Sequence, residues 1–309
     1  MSDYLTKSQE NALKILVCYH KPYILPSDDK VFLPIQGGKA ISDLDLHIQG
    51  DNEINGHPCD NISDKNPIYG EFTSLYWAWK NLKKLYPEVK YVGWTHYRRF
   101  FAFNEKQYFT PLIKKTAEEI QNYRVDSDEI IKILESGKVI MARKSIFGLP
   151  LYLQYSTFHS GIDYQTLKRV VRDKFPDFYE EFINFMEYNN KMSLFCMFIM
   201  KYDDFIEYCN WLFSLLAEME PLLPFQYYNQ YQKRALAFMA ERLINVYMRK
   251  KRMKIHELNV FFYGEDIKNK SILSKIILRI RSVLAYVKAY VKCEISFWLT
   301  VNRKKSPKG

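Results

Sequence analysis

Apolar and polar positions along this chain follow two periodicities, and the switches between them mark its elements. Short, nearly unbroken apolar runs occur at ALKILVCYH (12–20), VFLPIQGG (31–38), YVGWT (91–95), KVIMA (138–142) and SLFCMFIM (193–200). Runs of this length without a 3.6-residue period read as candidate strands. Elsewhere the apolar positions recur at helical spacing. Ile68, Phe72, Leu75, Tyr76, Trp79 and Leu82 predict an amphipathic helix that Asn66 caps, Pro67 opens and Pro87 follows. LKRVVRDKFPDFYEEFINFMEY predicts helix interrupted at Pro176, YDDFIEYCNWLFSLLAEME a helix capped by Asp203 or Asp204, and Gln230 to Lys250 a long helix. In the last of these, Leu236, Met239, Leu243 and Val246 make a core face, while Arg234, Phe238, Glu241 and Asn245 share the other side. Helix, short loop, strand is the rhythm of an α/β fold, and no linker interrupts it before about residue 264.

Composition sharpens this in two places. Of 309 residues 48% are hydrophobic, enough for a large core, and the 24 tyrosines and 21 phenylalanines suit either an aromatic core or platforms for flat, hydroxyl-rich ligands. Charge is unevenly placed. Residues 268–309 hold eleven Lys or Arg against one acid, Glu294, which accounts for the whole net charge of +10 and leaves the body neutral. Within that tail Ile272, Ile276, Ile280, Val283, Val287 and Val291 fill one helical arc flanked by Lys275, Arg279, Arg281, Lys288 and Lys292. Such a basic amphipathic segment fits an anionic membrane surface better than nucleic acid, because its aliphatic arc needs covering; an ordinary last helix docked on the body is the plain alternative. The organisation expected is a domain at 1–264 and a membrane-associating tail at 265–309.

Five cysteines without a CxxC pair indicate neither a disulfide framework nor a zinc site, and the expected compartment is the cytosol. No leader-like start and no run of about 18 uncharged apolar residues are present, so a secreted or membrane-spanning chain is not expected.

The candidate chemistry lies where apolar runs end. YVGWT leads straight into His96, Tyr97, Arg98 and Arg99, and paired guanidiniums match the oxygens of a diphosphate; pairing of one arginine with a core carboxylate is the structural alternative. The loop GDNEINGHPCDNISDKNPIYGEF offers Asn61, Ser63, Asn66 and Glu71 to a polar ligand at a helix start, although such loops are more often turns. His159 and Asp163, four apart, would share a helix face as base and orienter. Glu241 is a candidate base for an acceptor hydroxyl, against a reading of its helix face as merely solvated. No Walker loop, G-x-G-x-x-G, G-x-S-x-G or H-E-x-x-H occurs, and Asp43-Leu-Asp45 and Asp126-Ser-Asp128 are weak metal pairs because neither ends an apolar strand.

Four ordered blocks, GDNEINGHPCDNISDKNPIYGEFTSLYWAWKN, YVGWTHYRRFF, CMFIMKYDDFIEYCNWLF and AERLINVY, together resemble a domain-of-unknown-function family of bacterial capsule, exopolysaccharide and O-antigen loci, assigned to glycosyltransferases. The segment around His159 and Asp163 is similar to a further element of that family. Cys196 departs from it, standing where the pattern carries Asn. The resemblance implies a single-domain, GT-A-like α/β nucleotide-sugar transferase. The donor, expected to be UDP-linked with UDP-galactofuranose among the options, would lie over the strand ends. His20, His96 and Tyr97 would sit at that donor, Arg98 and Arg99 on its diphosphate, and Glu241 or Asp163, with His159, would act as base. The resemblance further implies a lipid-linked glycan acceptor at the inner membrane face. No metal site is assigned, with Mn or Mg as the ion if one is used. A membrane-tethered glycan- or anion-binding scaffold is the alternative to an enzyme.

Overall fold

A computed structural model of the protein describes residues 12–28, 30–103 and 112–264. The basic tail, with Lys275, Arg279, Arg281, Lys288 and Lys292, lies outside the described residues. These residues form two compact units, 12–145 with 192–264, and 146–191.

The first unit is built on a ten-stranded sheet. Its strands are β1 (Leu13–Tyr19), β2 (Phe32–Gln36), β3 (Gln49–Gly50), β4 (Tyr91–His96), β5 (Arg99–Phe101), β6 (Leu112–Lys114), β7 (Lys138–Ala142), β8 (Phe198–Lys201), β9 (Lys254–Leu258) and β10 (Val260–Phe262). The main path runs β9-β7-β8-β4-β1-β2-β3, and β10 pairs with β5 and β6 to one side. Pairings of β1 with β2 and β4, β2 with β3, and β7 with β9 are parallel; β8 runs antiparallel to both β4 and β7. All of β1 and β4 is buried, which is why these two strands read as continuous apolar runs. Leu16, Val17, Val92 and Trp94 are fully enclosed, each side chain worth roughly 1.5–3 kcal/mol over its exposed state.

From β1 the chain moves outward through β2 to β3, then returns to place β4 on the other side of β1. The strand order therefore reverses between β1 and β4, where Cys18 lies beside His96. The carboxyl ends of parallel strands at such a reversal form the crevice in which open α/β sheets bind ligands.

Helices follow the predicted order, with informative departures. The helix expected from Pro67 onward is split into α1 (Asn66–Tyr69) and α2 (Phe72–Leu85). Gly70, at φ 55° and ψ −136°, makes the break, and Asn66 serves that break instead of capping a helix start: its Nδ2 donates to the Gly70 carbonyl at 2.7 Å. In the same unit are α3 (Ala117–Gln121) and α4 (Ser127–Glu135), the latter capped by Asp126, which accepts from the amides of Asp128 and Glu129. That use of Asp126 makes its Asp-x-Asp a helix cap. SLFCMFIM is a strand only from Phe198, because Phe195 and Cys196 both take left-handed backbone angles. Asp203 and Asp204 lie inside the first turn of α8 (Tyr202–Met219), where they favour the helix dipole; the cap position is Lys201.

The helix expected from Gln230 begins at Ala235 as α9 (Ala235–Lys250), after a 3-10 turn at Gln232–Arg234. Its predicted core face, Leu236, Met239, Leu243 and Val246, is buried.

The second unit packs three helices, α5 (Leu151–Phe158), α6 (Gly161–Lys174) and α7 (Pro176–Glu187), divided at Pro176 as predicted. Tyr164 stacks on Phe182, and Tyr164 and Lys168 both donate to the Glu187 carboxylate. His159 and Asp163 belong to this unit but do not share a helix face. His159 ends the first helix in an extended conformation, and Asp163 lies buried in the first turn of the next.

Candidate functional site

At the reversal between β1 and β4 the first unit holds a cavity of about 660 Å³. The end of β1 contributes Cys18 and His20, the turn after β2 contributes Gly37, and the end of β4 contributes His96, Tyr97, Arg98 and Arg99. The break between α1 and α2 brings in Asn66, Gly70 and Glu71, and one face of α9 and its lead-in brings Lys233, Arg234, Phe238 and Glu241. The floor before β8 is Phe195. Four cationic side chains, Arg98, Arg99, Lys233 and Arg234, thus face two carboxylates, Glu71 and Glu241. That excess suits an anion of about two charges.

Each carboxylate is already engaged. Glu71 accepts from Arg234 Nη2 at 2.7 Å. Gly70 makes this contact feasible, since a Cβ there would sit 3.2 Å from the Arg234 guanidinium. Burial by itself would raise the Glu71 carboxyl, but the charges of His96 and Arg234 outweigh it and hold the group below its ordinary range. Glu241 Oε1 accepts from the Phe195 amide at 2.7 Å.

That amide belongs to an unusual stretch. Phe195 and Cys196 have φ of 70° and 52°, and a non-glycine residue in such a conformation costs on the order of 1–3 kcal/mol. The Phe195 amide is held by Glu241, and its carbonyl accepts from His96 Nε2. Asn245, also on α9, closes the same loop by exchanging hydrogen bonds with both backbone groups of Ser193 at 2.9 and 3.0 Å. The polar face of α9 is therefore not a solvated one.

Arg99 differs from its neighbour Arg234 in having no carboxylate within 4.0 Å among the described residues. Its guanidinium lies 4.1 Å over the Phe195 ring, and burial together with the Arg98 charge lowers its proton affinity. Arg98 lies over the Tyr97 ring at 5.1 Å, and His20 meets the same ring edge-on at 4.8 Å. Burial and the surrounding cations lower the pKa of His20, and burial lowers that of His96 against the pull of Glu71.

These depressed values fix the sign of an acid effect. A histidine that folds neutral contributes stability above its unfolded value of 6.5, lost as pH falls through the lower folded value; Glu71 repeats the pattern further down, below its ordinary value of 4.5. The midpoint of urea unfolding is expected to fall between pH 7.5 and 5.5, and to fall less in His96→Gln. An identical pH dependence in the variant would show that another group carries the effect.

A profile for the domain of unknown function DUF4422 matches residues 14–252. The chain belongs to that family. Among solved structures this DUF4422 chain is similar to the apo form of WbbM, a bifunctional glycosyltransferase, with 28% identity and a TM-score of 0.70 over 84% of this chain and 47% of that one. It thus spans about half the length of the protein it resembles. No curated protein matches it.

Of the residues expected at a ligand, His20, Asn66, Glu71, His96, Tyr97, Arg98, Arg99 and Glu241 of this DUF4422 chain line one cavity. Asn61 and Ser63 do not. Asn61 donates to the Cys59 carbonyl and accepts from the Ser63 amide, while the Ser63 hydroxyl joins the Asp51 carboxylate that also accepts from Gly38 and Lys39. They shape the Gly37-Gly38 turn behind the cavity. Gly38 has φ 68°, and a Cβ on it would stand 2.7 Å from Asn66 Cγ. Gly38→Ala is accordingly expected to cost about 1–3 kcal/mol in urea unfolding, and an unchanged midpoint would mean that the turn relaxes freely.

Lys233 and Arg234 line the cavity as well; for Arg234 the sequence carries a signal, since Arg234, Phe238 and Glu241 fall at i, i+4 and i+7.

Proposed function

We propose that this protein is a glycosyltransferase that uses a nucleoside-diphosphate sugar and holds the diphosphate with arginine and lysine. The observation that carries the reading is the cavity at the strand reversal, with four cations against two occupied carboxylates. The likeness to a bifunctional glycosyltransferase over 84% of the chain supports it.

Mn or Mg would need carboxylate or imidazole ligands. Among the described residues no three His, Cys, Asp or Glu side chains gather as a metal site, and the cavity's carboxylates are bound to Arg234 and the Phe195 amide. These residues do not fit a metal, and no step is drawn through one.

In the proposed reaction an acceptor hydroxyl oxygen bonds to the anomeric carbon as the bond from that carbon to the diphosphate oxygen breaks. The nucleoside diphosphate leaves with the electron pair, and its developing charge falls on Arg98, Arg99, Lys233 and Arg234. The hydroxyl proton passes to Glu241. Tyr97, with the rings of His20 and Tyr23 edge-on to it at 4.8 and 4.5 Å, forms the wall toward the nucleoside. The shared helix face expected for His159 and Asp163 does not form, since His159 ends one helix and Asp163 lies in the first turn of the next. A UDP-linked hexose donor, galactofuranose included, a lipid-linked glycan acceptor and attachment of the 265–309 tail to the inner membrane face complete the proposal. No helix among the described residues is long and apolar enough to cross a membrane.

A thermal-shift series with UDP, GDP, CMP and dTDP, with manganese or with EDTA, tests the reading. One diphosphate is expected to stabilise the protein equally in EDTA. Stabilisation only with manganese would overturn the cation-held diphosphate, and no response to any nucleotide would favour a non-enzymatic glycan-binding role.

A further inference from the structure

The segment between α8 and α9, residues 220–234, contains PFQYYNQYQKR and is folded by its own backbone. Tyr227 and Tyr228 amides donate to Pro224 and Phe225 carbonyls, Lys233 to Asn229, and Arg234 to Tyr231. Two 3-10 turns, Phe225–Tyr227 and Gln232–Arg234, result. So stiff a segment would be expected to turn its rings inward. Instead Tyr227 is 83% exposed and Tyr231 54%.

Tyr231 is not an isolated surface ring. Its centroid lies 5.0 Å from that of Phe238, which lines the cavity together with Gln230, and Phe238 is three residues before Glu241 on α9. The Arg234 guanidinium, anchored by Glu71, lies 5.6 Å over the Phe238 ring. An apolar wall thus leads from the helix face of the proposed base to solvent, through Phe238 and the exposed Tyr231, with Gln230 lining the same cavity.

We infer that Phe238, Tyr231 and Gln230 form the acceptor subsite, and that the acceptor's terminal residue is an uncharged sugar ring that lays a C–H face on the two aromatic rings while its hydroxyl points to Glu241. The inference rests on the glycosyltransferase reading. Aromatic rings offer a negatively polarised face to C–H groups and lose little freedom on binding, and an amide at the edge supplies both a donor and an acceptor for hydroxyls. The two rings themselves carry no charge, and contact through C–H groups asks for none on the sugar.

Saturation-transfer NMR on the full chain separates the two levels. Methyl β-galactopyranoside, methyl β-glucopyranoside and methyl α-mannopyranoside serve as probes, with methyl glucuronide as the charged control, each with and without UDP. Ring protons of at least one neutral glycoside are expected to receive saturation from wild type. In Tyr231→Ala the affinity is expected to drop about tenfold, with recovery in Tyr231→Phe, while stabilisation by the nucleoside diphosphate matches wild type. Undiminished glycoside binding in Tyr231→Ala, binding of the glucuronide alone, or no glycoside binding by wild type would each overturn the subsite. Glycoside binding that depends on Tyr231 in a protein that ignores every nucleotide would support the subsite and defeat the transferase reading instead.

Discussion

Arg99→Met is expected to cut turnover about 100- to 1000-fold while leaving the thermal midpoint unchanged or raised. The two halves of this expectation come from one fact. Arg99 places a guanidinium at the mouth of a core strand with rings beneath it and no carboxylate within 4.0 Å among the described residues. A partly enclosed charge without a counterion opposes folding, and an apolar side chain of similar length removes that opposition. The arrangement makes sense if the counterion arrives with the substrate. Arg234 supplies the contrast, since it is bonded to Glu71 at 2.7 Å; Arg234→Met strands a half-buried carboxylate and is expected to lower both stability and activity. Paired measurements of melting temperature and turnover distinguish the two arginines. Normal turnover by Arg99→Met would place the leaving diphosphate elsewhere, and a large loss of stability would mean that Arg99 is a structural cation.

The core strands could be read from sequence because burial on both faces leaves a nearly unbroken apolar run. LKILVCY, YVGWTH and KVIMA are strands within a residue of the expected ends. What could not be read was where backbone conformation overrides pattern. The helical spacing of Ile68 and Phe72 runs unbroken through Gly70, yet the chain breaks there, and the break turns Glu71 toward Arg234, a residue 163 positions away. SLFCMFIM is uniformly apolar, but Phe195 and Cys196 leave the sheet because His96 and Glu241 hold the Phe195 backbone in a left-handed turn. Cys196 sits in that turn with its thiol buried near the Tyr208 hydroxyl. For His159 and Asp163 the spacing of four implies a shared face only within one helix, and here His159 ends one helix and Asp163 lies in the first turn of the next.

Glu241 has two separable duties, and the choice of substitution resolves them. Its Oε1 accepts from the Phe195 amide, which steadies the ring beneath Arg99, and its carboxylate also faces the cavity, where the acceptor proton would be taken. Glutamine keeps a carbonyl oxygen for the amide but cannot take up a proton at neutral pH. Glu241→Gln is therefore expected to retain the wild-type nucleotide affinity while kcat falls about 100- to 10,000-fold. Glu241→Ala removes both duties. It leaves the Phe195 amide without its acceptor in an already strained turn, and is expected to lose a further 1–3 kcal/mol or so of stability and to weaken nucleotide binding through Arg99. If Glu241→Gln turned over normally while Glu241→Ala did not, Glu241 would be a positioning residue for the Arg99 platform alone. The base would then have to come from outside this carboxylate pair, because Glu71 is held ionised by Arg234 and is not free to exchange a proton near neutral pH.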